Sequence, residues 1–123
     1  MSLGLLLCDD LLFASRIMGE ARALGLTVKL ARSLEQLLDL ARQEAPSCVL
    51  VDLAFPGLAL SELFQRLGEA CNPPPRVVAY GSHVDTDSLR SARLAGCDPV
   101  LPRSKFVEEL PRALPQWLAG TRN

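Results

Sequence analysis

The chain has 123 residues, of which 49% are hydrophobic and 22% are charged, and 13 basic and 14 acidic side chains leave a formal net charge of −1. This length predicts one domain with a sizeable core, spanning residues 1–123. The near-neutral charge and an aromatic content of 5% argue against nucleic-acid binding and against an anionic membrane surface. Since no apolar run approaches the length of a membrane span and no charged region precedes an apolar one at the amino terminus, we expect a cytoplasmic protein.

The first third of the chain alternates a strand, a helix and a strand. Residues 3–8 form a continuous apolar run, which is typical of a strand buried on both faces. Residues 11–24 have helical spacing and are followed by Gly25, a residue that commonly ends helices. The apolar residues expected on the inner side of this helix are Leu12, Ile17, Ala21 and Leu24. Thr27–Ala31 is the second predicted strand.

A capping motif marks the second helix. Ser33 precedes the amphipathic run Leu34–Glu44, and Gln36 lies at the capping-box position three residues after it. Pro46 follows the helix, and residues 47–51 read as a third strand that is apolar from residue 48 to residue 51.

The second half repeats the alternation. We predict a third helix over Leu60–Ala70, capped by Ser61 or begun just before it. The prolines at 73–75 force a loop, because each fixes φ and lacks an amide donor. Residues 76–80 read as the fourth strand, and a fourth helix begins at residue 86 or 87 and ends at residue 95.

The last strand–helix unit is short and contains prolines. Residues 99–101 read as a fifth strand, and Ser104 can cap a last helix from residue 105 to about residue 118. Pro111 should kink this helix or make its first turn irregular. Five strand–helix units predict an α/β, flavodoxin-like (βα)5 doubly wound parallel sheet with strand order 2-1-3-4-5.

Three carboxylates follow two strands that are neighbours in this order. Asp9 and Asp10 end the first strand, and Asp52 ends the third. In such sheets the ligands lie at the carboxyl ends of the strands. Three carboxylates gathered there would repel one another without a cation, and hard divalent cations bind carboxylate and carbonyl oxygens, so the pattern indicates a divalent metal site. One residue of the acidic pair is also expected to cap the first helix.

These residues resemble a known family. The run Leu-Leu-Leu-Cys-Asp-Asp at 5–10, the run Val-Leu-Val-Asp-Leu-Ala-Phe-Pro-Gly at 49–57, and Gly96 leading into a fifth strand that a cation follows are together similar to the receiver domain of bacterial two-component response regulators. The resemblance covers nearly the whole chain.

The resemblance implies a phosphorylation site. Asp52 would accept a phosphoryl group from a histidine kinase or a phosphotransfer protein. Asp9 and Asp10 would bind Mg²⁺ together with Asp52, and the backbone carbonyl of Ala54 would complete the metal site. Output would pass to an unknown downstream protein through the face made by the fourth helix, fifth strand and fifth helix.

The chain departs from the family pattern after strands four and five. Gly81 stands where the family has Ser or Thr, and Ser82, one residue later, can replace that hydroxyl only if the chain turns there. The family's Lys-Pro appears as Arg103-Ser104, so Arg103 is the expected cation of the site. Val100 replaces the aromatic residue of strand five.

These departures motivate an alternative, a pseudo-receiver that acts as a protein-interaction module independently of phosphorylation. A third hypothesis is a small flavodoxin-like enzyme or cofactor binder. The chain contains neither G-x-G-x-x-G nor a P-loop, and an acidic pair after the first strand would repel an anionic cofactor. We therefore expect no enzymatic function.

The remaining reactive side chains are expected to be structural. His83 is predicted to be a loop or helix-start residue that can lie over the site. Cys8, Cys48, Cys71 and Cys97 have no metal-binding spacing, so we expect reduced core residues, with Cys71 the most exposed.

Overall fold

A five-stranded parallel sheet with strand order β2-β1-β3-β4-β5 forms the centre of the computed structural model, which describes residues 2–119. The strands are β1 (Leu3–Leu7), β2 (Thr27–Ala31), β3 (Cys48–Asp52), β4 (Arg76–Gly81) and β5 (Val100–Pro102). The helices are α1 (Leu11–Ala23), α2 (Leu34–Glu44), α3 (Leu60–Ala70), α4 (Thr86–Ala95) and α5 (Arg103–Leu118). This architecture confirms the flavodoxin-like fold class and the strand order.

Apolar side chains of the central strands alternate between two core layers. Leu5 and Val49 face the layer packed by α2, α3 and α4, while Leu6 and Leu50 face the layer packed by α1 and α5. Burial on both faces explains why these strands read as continuous apolar runs. Asp52 is the one buried polar or charged residue in the described part of the chain.

Several boundaries differ from the predicted ones. Asp52 belongs to β3, where it is paired with Tyr80 of β4, rather than following the strand. The last helix begins at Arg103 instead of residue 105, and Pro102 with φ −58° and ψ 149° is its N-cap. Ser104 was therefore wrongly predicted to be the cap, because the proline already presets the backbone for a helix start. Helix α5 continues through Pro111, and six buried residues hold it on the sheet.

Some burial expectations were wrong as well. Leu12 is 86% exposed and Leu24 is 37% exposed, and Ala14 lies on the inner side of α1 with Ile17 and Ala21. Cys71 is buried against α2, where its thiol lies 3.7 Å from the Ala41 carbonyl oxygen.

Other expectations about the core are confirmed. All four cysteines are buried and none forms a disulfide within residues 2–119, and Ser33 caps α2 by accepting a hydrogen bond from the Gln36 amide. Within residues 2–119, no helix combines the length and apolar character needed to cross a membrane.

Candidate functional site

Asp52 is a buried carboxylate at the carboxyl edge of the sheet, with only 3% of its surface exposed. Its Oδ1 accepts a hydrogen bond from the Ala54 amide at 2.9 Å. Its Oδ2 lies 3.6 Å from the Cys8 thiol and 3.8 Å from Nη2 of Arg103. A buried charge is tolerated only when it is paired and hydrogen-bonded, and these three neighbours provide that compensation.

Asp9 and Asp10 make different contacts. Asp10 is the N-cap of α1, since its Oδ1 accepts from the Phe13 amide at 3.1 Å, and its Oδ2 lies 4.0 Å from Nη1 of Arg103. Asp9 forms its ion pair with Arg32, at 3.7 Å, on the other side. The structure thus confirms the capping role of one member of the pair.

One guanidinium joins two of the three expected carboxylates. Arg103 contacts both Asp10 and Asp52, and its guanidinium also lies 4.7 Å from the centroid of the Phe13 ring. Asp9 is held apart by Arg32. Across residues 2–119, no three His, Cys, Asp or Glu side chains are grouped closely enough to hold a metal ion.

The donor set nevertheless suits Mg²⁺ chemically. Carboxylates and a backbone carbonyl are the hard oxygen ligands that this ion takes, together with several waters. The ion pairs of Asp9 and Asp10 are long and about half exposed, and such pairs stabilise a protein by at most about 1 kcal/mol. Breaking these two ion pairs to bind an ion would therefore cost little. Magnesium binding by Asp9, Asp10, Asp52 and the Ala54 carbonyl stays a prediction.

The end of β4 explains how the chain tolerates a glycine there. A Cβ atom on Gly81 would lie 3.2 Å from Cδ1 and 3.3 Å from Cβ of Leu53, and 3.6 Å from Leu89. Leu53 thus occupies the space that a side chain at position 81 would need. Ser82 is exposed, and its hydroxyl lies 3.4 Å from the Val84 amide, inside its own turn.

An open cavity of about 670 Å³ lies beside Arg103. Ser82 and His83 from the β4–α4 loop line it, together with Phe13 and Arg16 of α1. His83 is an exposed loop residue next to the site, as the sequence predicted. The cavity lining combines the apolar side chains of Phe13 and Val107 with the positive charges of Arg16 and Arg103, so the cavity is an entrance suited to anions.

Two buried groups next to Asp52, the Tyr80 hydroxyl and the Cys8 thiol, were not predicted from the sequence. Tyr80 is fully buried, stacks between Phe13 and Phe106, and its hydroxyl has no hydrogen-bond partner within residues 2–119. Burial raises the pKa of Tyr80 far above its ordinary range, and the Cys8 thiol beside it adds to this. Burial also raises the pKa of Cys8. The continuous apolar run at residues 5–8 predicted that Cys8 is buried, but no sequence signal indicated that its thiol reaches Asp52.

Comparisons with known proteins agree with this architecture. No protein-family model matches the chain. The transcriptional activator protein ExaE of Pseudomonas putida is 30% identical over 122 residues, which are 96% of this chain and 56% of that protein. The chain therefore spans little more than half the length of this relative.

Solved structures match over almost the whole chain. The Francisella response regulator 1452 receiver domain superposes with a TM-score of 0.79 at 19% identity, covering 99% of this chain and 100% of that domain. A chain from the complex of the Saccharomyces cerevisiae histidine phosphotransfer protein Ypd1 with the receiver domain of Ssk1 gives a TM-score of 0.78 at 17% identity, covering 96% and 89%. The likeness therefore includes the sheet and the helices on both of its faces.

Proposed function

We propose that this chain, whose fold is that of response-regulator receiver domains, accepts a phosphoryl group on Asp52 from a histidine kinase or a phosphotransfer protein. The observation that carries the proposal is a buried carboxylate at the carboxyl edge of the sheet, 3.8 Å from a guanidinium and next to an anion-suited entrance. A receiver domain of similar fold is known in complex with a phosphotransfer protein, which supports this class of donor. The proposed setting is the cytoplasm, and the proposed role is a signalling module rather than an enzyme.

The proposed reaction uses groups already positioned around Asp52. Oδ1 is engaged by the Ala54 amide, so Oδ2, which faces Arg103, is the attacking oxygen. It forms a bond to phosphorus as the P–N bond to the donor histidine breaks, and the departing imidazole keeps the electron pair and takes up a proton. The fork of Arg103 can donate to two phosphoryl oxygens at once.

Magnesium would be held by Asp9, Asp10 and Asp52, with the carbonyl of Ala54 as a further ligand. When bound, the ion would neutralise charge on the transferring oxygens. Because Asp9 contacts Arg32 and Asp10 contacts Arg103, each carboxylate would leave a long ion pair to reach the ion.

The test is labelling with phosphoramidate in the presence of Mg²⁺, followed by intact mass measurement. Wild type should gain one phosphoryl group, Asp52→Asn should gain none, and Asp39→Asn, which removes an exposed carboxylate on α2, should behave as wild type. An unlabelled wild-type protein, or equal labelling of Asp52→Asn, would contradict the proposal.

A second candidate is a pseudo-receiver that binds its partner without phosphorylation. The contact of Leu53 with Gly81 favours it, because no hydroxyl is held at that position to draw the β4–α4 loop toward a phosphoryl group. Amide hydrogen exchange in residues 82–85, measured with and without phosphoramidate, separates the two candidates. A labelled protein with unchanged exchange there supports the pseudo-receiver, while slower exchange supports a working switch.

A further inference from the structure

We propose that the Cys8 thiol positions the Asp52 carboxylate by donating a hydrogen bond to it, and that the thiol donates this hydrogen bond to the Asp10 carbonyl instead when Asp52 becomes phosphorylated. The inference rests on the proposed function and deepens it. It gives a role to a residue that composition and spacing assigned only to the core.

The geometry places one donor between two acceptors. The Sγ atom of Cys8 lies 3.6 Å from Oδ2 of Asp52 and 3.4 Å from the backbone oxygen of Asp10. Cys8 is fully buried, so water does not compete for its proton. A thiol carries a single proton, and it can donate fully to only one of these oxygens at a time.

The charge on Asp52 decides between the two acceptors. Hydrogen bonds to an ionised carboxylate are about twice as strong as those to a neutral group. The Cys8 thiol therefore donates to Asp52 as long as Asp52 is unphosphorylated. In an acyl phosphate the same oxygen is esterified and loses its full charge. The Asp10 carbonyl is then the better acceptor, and it is already the closer one.

The thiol therefore links the chemical state of Asp52 to the start of α1. Asp10 is the N-cap of that helix, and its carbonyl also accepts from the Ala14 amide at 2.9 Å. When the Cys8 thiol donates to the Asp10 carbonyl, the hydrogen bonding in the first turn of α1 changes. Phosphorylation would thus affect α1 even though Gly81 provides no hydroxyl at the end of β4.

The thiol also fixes the carboxylate before transfer. The Ala54 amide holds Oδ1, the Cys8 thiol holds one lone pair of Oδ2, and the second lone pair of Oδ2 stays free beside Arg103. Two donors from different elements prevent rotation of the carboxylate plane. Without the thiol, Oδ2 can turn toward the guanidinium, and fewer molecules present it to a donor.

Phosphoramidate labelling rates test the positioning role. Cys8→Val keeps the apolar volume and removes the donor, so its rate should fall by about threefold to tenfold, the effect of one weak hydrogen bond. Cys8→Ser keeps a donor and should recover most of the wild-type rate. Cys48→Val is the matched control, since Cys48 lies in the same core layer at the opposite end of β3 and its loss should leave the rate unchanged.

The outcomes separate this inference from the proposed function. If wild type is labelled and Cys8→Val is labelled equally fast, or Cys8→Ser is as slow as Cys8→Val, the positioning role is wrong while the proposed function stands. If wild type takes no label, both fail. An urea midpoint for Cys8→Val at or above that of wild type, together with a slower rate, shows that the lost interaction serves the reaction and not the fold.

A spectroscopic measurement tests the hydrogen bond without phosphoryl transfer. The S–H stretching band of Cys8, identified as the band missing from Cys8→Val, should shift in Asp52→Ala because the thiol loses its charged acceptor. The same band should be unchanged in Asp39→Asn. An unshifted band in Asp52→Ala would overturn the inference.

Discussion

Substituting Gly81 by threonine tests whether Leu53 has taken the space of a side chain at the end of β4. A Cβ at position 81 would meet Leu53 at 3.2 and 3.3 Å, which is closer than ordinary van der Waals contact, and Leu89 at an acceptable 3.6 Å. The glycine has no positive φ, so a threonine is not resisted by the backbone itself. The cost of Gly81→Thr should therefore come from packing alone.

Two opposing effects set its magnitude. Overpacking a filled site costs about 1–3 kcal/mol, because Leu53 must shift off its rotamer or move the β3–α3 loop. Replacing a glycine inside a strand returns about 0.5–1 kcal/mol of backbone entropy. We expect Gly81→Thr to lower the free energy of unfolding by about 1–2 kcal/mol.

A double-mutant cycle in urea is the assay. Leu53→Ala removes the obstructing side chain, so the substitution at Gly81 should be neutral or stabilising in that background, with a coupling energy of about 1 kcal/mol or more. Gly68→Ala is the control, since a Cβ there meets nothing within 4 Å and should stabilise helix α3 by about 0.5–1 kcal/mol. Additive effects at the two positions, or a Gly81→Thr protein as stable as wild type, would refute the packing explanation.

Three further predictions follow from the core and the site. Tyr80→Phe removes a buried hydroxyl without a partner and keeps the ring stacking, so it should raise the free energy of unfolding by about 1 kcal/mol, and a loss of stability in urea would show that the hydroxyl is bonded. Burial raises the pKa of Cys97 from 9.0 to about 11, so the free energy of unfolding should fall by roughly 2–3 kcal/mol as the pH rises from 9 toward 11. Urea titrations at a series of fixed pH values should show this fall in wild type and a smaller one in Cys97→Val. The same pH dependence in both proteins would contradict the assignment to Cys97. Arg103→Lys keeps the charge but loses the stacking on Phe13 at 4.7 Å, so thermal melts should show about 0.5–1 kcal/mol of destabilisation, and a melt identical to wild type would mean that the stacking contributes nothing.

The sheet could be predicted because strands buried on both faces are apolar at every position, and such runs are visible in the sequence. The runs at 5–8 and 48–51 are apolar at every position, and the capping residues and prolines divide the helices. The boundary at Asp52 could not be read in this way. The carboxylate of Asp52 ends the apolar run in the sequence, but the backbone of Asp52 still pairs with Tyr80 of β4. Pairing between strands depends on a distant segment, so the local sequence does not indicate it.

Which side chains of a helix face the sheet was also less predictable, because this depends on contacts with distant segments of the chain. Helical spacing placed Leu12 with Ile17, yet Leu12 is 86% exposed, and Ala14 lies on the inner side of α1 instead. The proline-rich loop suggested an exposed Cys71. That thiol instead packs under α2, because the loop prolines begin only after Asn72.

Within the site, residue types were predictable and their partners were not. The sequence indicated Asp10, Asp52 and Arg103, and the structure brings these three together. The ion pair of Asp9 with Arg32 and the contact of Leu53 with Gly81 depend on which side chains of distant segments meet. Such contacts between distant side chains are determined by tertiary packing, which cannot be predicted from patterns in a single sequence.

The charges around Asp52 are better balanced for a loaded site than for a resting one. Three carboxylates face two guanidinium groups, those of Arg32 and Arg103, which leaves one negative charge in excess. A phosphoryl group on Asp52 would replace one negative charge by roughly two, and a divalent cation would then bring the whole cluster close to neutrality. The resting excess is tolerated because Asp9 and Asp10 are about half exposed, whereas the buried Asp52 is compensated by the amide of Ala54, the Cys8 thiol and the guanidinium of Arg103 that it shares with Asp10. On the proposed function, the site would therefore bind the metal and the phosphoryl group cooperatively, since each would reduce the electrostatic cost of the other.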